Sequence, residues 1–217
     1  VKSGTFIVIE GIDGAGTTTQ MELYAAYLRS RGIAVHVTRE PSTGLIGTFI
    51  RSILSGKAAL ASSPSFDVMA QLFAADRLDH VRGEIEPALN RGEVVISDRY
   101  DLSSLAYQSV ASDSGLQAHE VVAWIRGLNR FARRPDVTLV VDVSAEVAAE
   151  RRRQRGGVED LYETLALQAR LAKAYTHADA LVPGDKVVHV HGDGDIESVE
   201  AAIRVALAPF VGLSSEP

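Results

Sequence analysis

A chain of 217 residues is long enough for one domain with a full hydrophobic core and too short to argue for two. Its net charge of −6 argues against a general attraction to nucleic acid or to an anionic membrane, so an anionic substrate would need locally placed cations. The absence of cysteine excludes disulfides and thiolate metal sites and fits a reducing cytoplasm, apolar runs stay far below the ~20 residues of a spanning helix, and no signal peptide is expected.

Along the chain, short β-branched runs alternate with amphipathic stretches. Residues 6–9, 34–37, 94–96, 139–143 and 187–190 read as strands buried in a parallel sheet. Met21, Tyr24, Ala25 and Leu28 fall at helical spacing, and Gly32 stands where that helix would stop. The helical pattern returns at Ile46, Phe49, Ile50 and Ile53, and again at Ile196, Val199, Ile203 and Leu207. This alternation predicts an α/β doubly wound fold, a five-stranded parallel sheet flanked by helices, in one domain over 1–211 with a disordered tail over 212–217. Internal repeats and low-complexity segments are absent.

After the first strand comes Gly11-Ile12-Asp13-Gly14-Ala15-Gly16-Thr17-Thr18-Thr19, then a helix. A loop that wraps phosphates needs glycines, because its N–H groups must turn inward and side chains would block the approach. The following helix adds its N-terminal dipole. The pattern is that of a phosphate-binding P-loop with one departure: Thr17 stands where a lysine belongs, while Thr18 keeps the hydroxyl expected to ligand Mg²⁺. A dinucleotide-binding loop is the rival, but Thr19 occupies the place of its third glycine. The third strand delivers Asp98-Arg99-Tyr100 at its carboxyl end, where open parallel sheets bind ligands. A carboxylate there can hold Mg²⁺ through water, and the guanidinium beside it can clamp a phosphate. Arg151, Arg152, Arg153 and Arg155 precede Gly156-Gly157; such a run is commonly a solvated face, and the acidic balance weakens a nucleic-acid reading.

Taken in order, these segments resemble the thymidylate kinase family of P-loop nucleoside monophosphate kinases. The family's T-R-E-P is present as Thr38-Arg39-Glu40-Pro41, although its usual G-G-T has become Ser42-Thr43-Gly44. A helix arginine matches at Arg51, L-F-x-A-x-R at Leu72, Phe73, Ala75 and Arg77, and R-P-D at Arg134-Pro135-Asp136. The D-R-Y-x-x-S-x-x-A-Y-Q signature is intact at Asp98, Arg99, Tyr100, Ser103, Ala106, Tyr107 and Gln108. The resemblance implies a Mg²⁺-dependent transfer of the ATP γ-phosphoryl to dTMP by a homodimer.

It also implies roles. Residues 11–19 would bind ATP, with Thr18 and Asp98 at the metal. Phe73 would stack on thymine, Arg77 would donate to the base, and Arg51 and Arg99 would hold the acceptor phosphate. Asp13 would approach the sugar hydroxyl, Tyr107 would fill the space of a ribose 2′-hydroxyl, and Ser104 and Gln108 would complete the pocket. Arg151, Arg153 and Arg155 reproduce the family's R-x-R-x-R-G spacing in a mobile lid at about 148–161, and they are expected to act on the transferring phosphoryl. The family's later D-R-x-E appears as Asp160-Leu161-Tyr162-Glu163. The helices over 66–89 and 101–110, rich in apolar residues, are the expected dimer surface. Two alternatives stay open at this point: a kinase for another pyrimidine monophosphate, and a nucleotide-binding homologue impaired by Thr17.

Overall fold

The computed structural model describes residues 3–61, 63–112, 115–156 and 164–213. Its elements run β1 (Phe6–Glu10), α1 (Thr17–Ser30), β2 (Val35–Arg39), α2 (Leu45–Leu54), α3 (Phe66–His80), a π-helical turn (Val81–Ile85), α4 (Glu86–Asn90), β3 (Val94–Asp98), α5 (Asp101–Ala111), α6 (Ala118–Leu128), β4 (Val137–Asp142), α7 (Ala145–Arg155), α8 (Leu165–Thr176), α9 (Ala178–Leu181), β5 (Val187–His191) and α10 (Ile196–Val211). The strands form one parallel sheet in the order β2-β3-β1-β4-β5, as the sequence pattern predicts.

Strand β1 sits at the centre and is buried throughout, which is why it reads as an unbroken apolar run. Period two splits its side chains between the two faces of the sheet. Ile7 and Ile9 join Ile96, Leu139 and Val141 in the larger core, while Phe6 and Val8 join Val95, Ile85 and Leu89 on the other side. A third cluster of Ile50, Ile53 and Met69, with Leu54, Leu72 and Phe73 against it, fastens α2 to α3. The register brings Ile9, Arg39 and Asp98 level, so the carboxyl ends of β1, β2 and β3 open at one edge. The switch in strand order between β3, β1 and β4 lies there, and that is where such sheets bind ligands.

Three local features differ from the sequence reading. The 66–89 stretch is not one helix: Pro87 cannot donate an N–H to the turn before it, and the π-helical turn Val81–Ile85 takes up the misfit. Residues 212 and 213 of the expected tail belong to a helix cap. Gly212, at φ 71°, and Leu213, whose N–H donates to Ala208 O at 3.1 Å, close α10 in a Schellman-type cap, and 214–217 lie outside the described residues. The expected lid is α-helical as far as Arg155; Gly157 and the Asp160-Leu161-Tyr162-Glu163 segment lie outside the described residues, as does the Arg155 side chain.

The helices over 66–89 and 101–110 carry no large exposed apolar side chain among the described residues. Met69, Ile85, Leu102 and Leu105 are buried, while Val68, Leu72, Phe73, Leu78 and Val110 are half-buried. Exposed apolar side chains include Leu116, Trp124 and Phe131, on and beside α6, and Leu45 and Phe49 on α2. Among the described residues no helix is long and apolar enough to cross a membrane.

Candidate active site

The loop after β1 turns through two glycines in left-handed conformations, Gly14 at φ 91° and Gly16 at φ 89°. A Cβ on Gly14 would stand 2.4 Å from the Ala148 carbonyl oxygen of α7, so position 14 must be bare for that helix to lie on the loop. No side chain caps α1, whose first-turn N–H groups and positive dipole end are thereby offered to an anion. Residues 12–19 of the expected loop line a cleft of about 910 Å³ together with Asp98, Arg99, Arg151 and Arg152. Gly11 does not line it: a Cβ there would meet the Val141 carbonyl at 3.1 Å and the Thr17 methyl at 3.2 Å, so it packs the loop against β4.

Thr18 and Asp98, far apart in sequence, meet in this cleft, the Thr18 hydroxyl donating to Asp98 Oδ2. The other carboxylate oxygen, Oδ1, is buried without a hydrogen-bond partner. A buried, unsatisfied carboxylate oxygen beside a hydroxyl at a phosphate loop is a donor set that fits Mg²⁺, which takes only one or two protein ligands and fills its shell with water and phosphate. No group of three or more His, Cys, Asp or Glu among the described residues could form an all-protein cage.

Next to the loop lies a smaller pocket of about 220 Å³, built by α2, α3, α5 and the corner after β3. It gathers Arg51, Phe73, Arg77, Arg99, Ser104, Tyr107 and Gln108, all seven of the acceptor residues named from sequence. Two residues, Asp13 and Arg99, line both cavities. Arg99 Nη2 donates to Asp13 Oδ1 at 2.6 Å, Tyr107 OH donates to Oδ2 at 3.1 Å, and the Arg99 guanidinium lies 5.4 Å from the Tyr107 ring centroid. Arg99 is also the one described non-glycine residue with a positive φ, 72°. Arg51 reaches the same pocket from α2, held by the Pro41 carbonyl at 2.6 Å.

Arg77 is fixed by its surroundings. It is buried, and four of its N–H groups are committed: Nε to Glu40 Oε2 (2.8 Å), Nη1 to Asn129 Oδ1 (2.6 Å), and Nη2 to the Tyr100 carbonyl (3.0 Å) and Ser104 Oγ (3.1 Å). A guanidinium has five, so one Nη1 N–H has no bond among these four, and the side chain lines the pocket. Ser104 therefore acts on the guanidinium that faces the pocket. Glu40 is held in turn by His80, whose Nδ1 lies 3.3 Å from Oε1.

Beneath the Arg99 corner, Glu10 is fully buried. It accepts from the N–H of Tyr100 (2.8 Å) and of Ser103 (3.1 Å), from Ser103 Oγ (2.6 Å) and from Tyr175 OH (2.9 Å). Burial raises its carboxyl to about 7, against the pull of the nearby Arg99 charge.

The arginine run falls differently from its expected R-x-R-x-R use. On a helix, residues two apart point to opposite sides, so 151 and 153 cannot share a face. Ala148, Arg151 and Arg152 form the face against the loop: Arg151 reaches Ala15 O at 3.4 Å and Gly194 O at 3.0 Å, and Arg152 donates to the Asp13 carbonyl. The Arg153 side chain is 77% exposed and pairs with Glu150. The structure thus brings Arg151 to the loop, adds Arg152, and does not bring Arg153.

Sequence reasoning gave no role to Glu10, Glu40, Asn129, Arg152 or Tyr175. Glu40 stood inside the quoted Thr38-Arg39-Glu40-Pro41 and Glu10 directly before the quoted loop, and a carboxylate at the end of an apolar strand was the available signal. Asn129 and Tyr175 join the site only through tertiary packing, and nothing local to them marks it.

Comparison with known proteins agrees with this geometry. The sequence pattern described as thymidylate kinase matches residues 9–203. A probable thymidylate kinase of Pyrococcus horikoshii is 37% identical over 187 residues, covering 86% of this chain and 88% of its own length. A probable thymidylate kinase of Methanothermobacter thermautotrophicus is 37% identical over 97% of both chains. A thymidylate kinase of Trichormus variabilis is 34% identical over 96% of this chain and 97% of its own. With matches spanning nearly its whole length, and with the glycine-rich loop, the Thr18–Asp98 pair and the arginine-lined pocket folded together, the chain belongs to the thymidylate kinase family.

Proposed function

We propose that this chain is a dTMP kinase, transferring the γ-phosphoryl of ATP to dTMP with Mg²⁺ to give dTDP and ADP in the cytoplasm. One observation carries this reading: an anion-binding loop cleft and an arginine-lined acceptor pocket lie side by side and share Asp13 and Arg99. That arrangement suits in-line transfer between two bound nucleotides. A phosphate oxygen of dTMP forms the new bond to the γ-phosphorus, the bond to the β,γ-bridging oxygen breaks, and its electron pair leaves on ADP. Total charge is conserved, so no proton needs a base. What remains for the protein is positioning and electrostatic stabilisation. Thr18 and Asp98 would hold Mg²⁺, which supplies charge neutralisation at the phosphates. Arg99 and Arg51 would fix the acceptor phosphate. Phe73 offers a flat apolar wall for a pyrimidine, and Tyr107, hydrogen-bonded to Asp13, occupies space beside the sugar.

The test is a coupled assay of ATP and Mg²⁺ with each nucleoside monophosphate. dTMP is expected to be phosphorylated fastest; a faster purine monophosphate or CMP would sink the proposal. Arg77→Ala removes a charged donor worth roughly 1.5–3 kcal/mol, about 10- to 150-fold. Its expected signature is weaker discrimination between dTMP and dCMP as well as a lower rate. A second reading, a nucleotide binder without turnover, is favoured only by Thr17, and dTDP formation by the purified protein excludes it.

We also propose a homodimer, the state the family resemblance implies, with the exposed Leu116, Trp124 and Phe131 as contact candidates. Light scattering at micromolar protein is expected to give twice the chain mass, and a monomer mass would refute it.

A further inference from the structure

Thr17 leaves the phosphate loop without a cation of its own. A lysine there is a point charge directed at the β- and γ-phosphates. Threonine is short and neutral, and this one is 7% exposed, with its methyl turned back toward Gly11.

Among the described residues, the cations lining the loop cleft are Arg99, Arg151 and Arg152. Arg99 is bound to the Asp13 carboxylate on the acceptor side. Arg151 bridges the Ala15 and Gly194 carbonyls at the rim. Arg152 donates to the Asp13 carbonyl in the same glycine-rich turn as Ala15, whereas Arg151 is tied beyond the turn as well, to Gly194. Gly14 makes this approach possible, because a Cβ there would collide with Ala148 O at 2.4 Å and press on Arg152 Cγ at 3.1 Å. Ala148 and Arg152, one helical turn apart, form the strip of α7 that lies on the loop. Bare position 14, neutral position 17 and cationic position 152 therefore make one arrangement.

We propose that Arg152 of α7 supplies to the phosphate loop the cation that Thr17 omits. In the absence of an anion, its fork rests on the Asp13 carbonyl; a triphosphate is a stronger acceptor at the same place and takes those donors over. A planar fork grips two phosphate oxygens where lysine would offer a point charge. The proposal rests on the kinase reading, and its test separates the two.

Arg152→Met keeps an aliphatic stem against Gly14 and removes the charge. Relative to wild type, kcat is expected to fall about 10- to 150-fold, and the Kd of inorganic tripolyphosphate, read by calorimetry, is expected to rise on the order of 10-fold. In the Arg152→Met background, Thr17→Lys should recover at least about 10-fold of the lost kcat. A structural role for Arg152 would not be rescued from position 17. If the Thr17→Lys chain does not fold, Arg152→Lys decides: recovery of tripolyphosphate affinity and rate supports the proposal, and a loss as large as that of methionine overturns it. An active wild type with an equally active Arg152→Met overturns this inference alone, as does a loss that neither lysine rescues. A wild type that forms no dTDP overturns the kinase reading and this inference with it.

Discussion

Replacing Arg99 by alanine is expected to lower kcat/KM for dTMP by roughly 10²- to 10⁴-fold while leaving a folded protein. One fork carries two charge-assisted contacts of about 1.5–3 kcal/mol each, and losing both corresponds to that change in rate. The side chain lies between the two cavities, tied to Asp13 at 2.6 Å and close to the Tyr107 ring, so its loss also frees the carboxylate the two cavities share. Arg99→Lys should recover little, because an ammonium cannot reproduce the planar fork. A second readout lies beneath the corner. The Glu10 carboxyl is raised from an ordinary 4.5 to about 7 by burial, so the native state holds a proton that the unfolded chain releases. Its contribution to stability is fully present below pH 4.5 and is lost as pH rises to about 7, beyond which the loss levels off. Arg99 holds that value down; without it the decline should continue above pH 7. Denaturant titrations of both proteins from pH 5 to 9 check this, and superimposable pH profiles would remove Arg99 from the account of Glu10.

Glu40→Ala is expected to be the most damaging single change to the fold among the site residues. Its side chain and that of Arg77 are 3% and 1% exposed, and the pair is bonded at 2.8 Å. Removing one partner strands a buried charge, which costs about 3–5 kcal/mol. For a domain of this size that corresponds to a fall in Tm of roughly 6–20 °C. Glu40→Gln keeps an acceptor for the Nε–H and should fall between. The double variant Glu40→Ala, Arg77→Ala should lose less than the sum of the singles, since no charge is left unpaired. Calorimetric melting of the four proteins decides it, and additive losses would mean the two side chains are not coupled.

The fold was legible because both of its signals are local. Central strands of a parallel sheet are apolar on both faces, so β1 and β4 announce themselves as runs, and the helices between carry one apolar stripe each. The pocket was legible through motif order, which placed Phe73, Arg77, Arg99 and Tyr107 before any geometry. What the sequence hid has three physical causes. Pro87 interrupts a pattern whose periodicity continues on either side of it, so the π-helical turn left no trace in spacing. Arg151 and Arg153 matched a linear spacing, but the segment is helical through Arg155, and helical phase sends alternate residues apart. Glu40 and Asn129 support Arg77 from β2 and from the end of α6, a relation that exists only after packing.

The left-handed backbone at Arg99 sets selection for stability against selection for turnover. A non-glycine residue at such a φ is held there at a cost of about 1–3 kcal/mol, and glycine would relieve it. Drift in a lineage that no longer needed the reaction would therefore be drawn toward glycine at this position, giving a sturdier chain with an empty acceptor clamp. In a genome, an otherwise intact sequence of this kind with Gly at 99 would mark a gene released from catalysis. Retention of Arg there, against the preference of the backbone, is a signature that the enzyme is still under use.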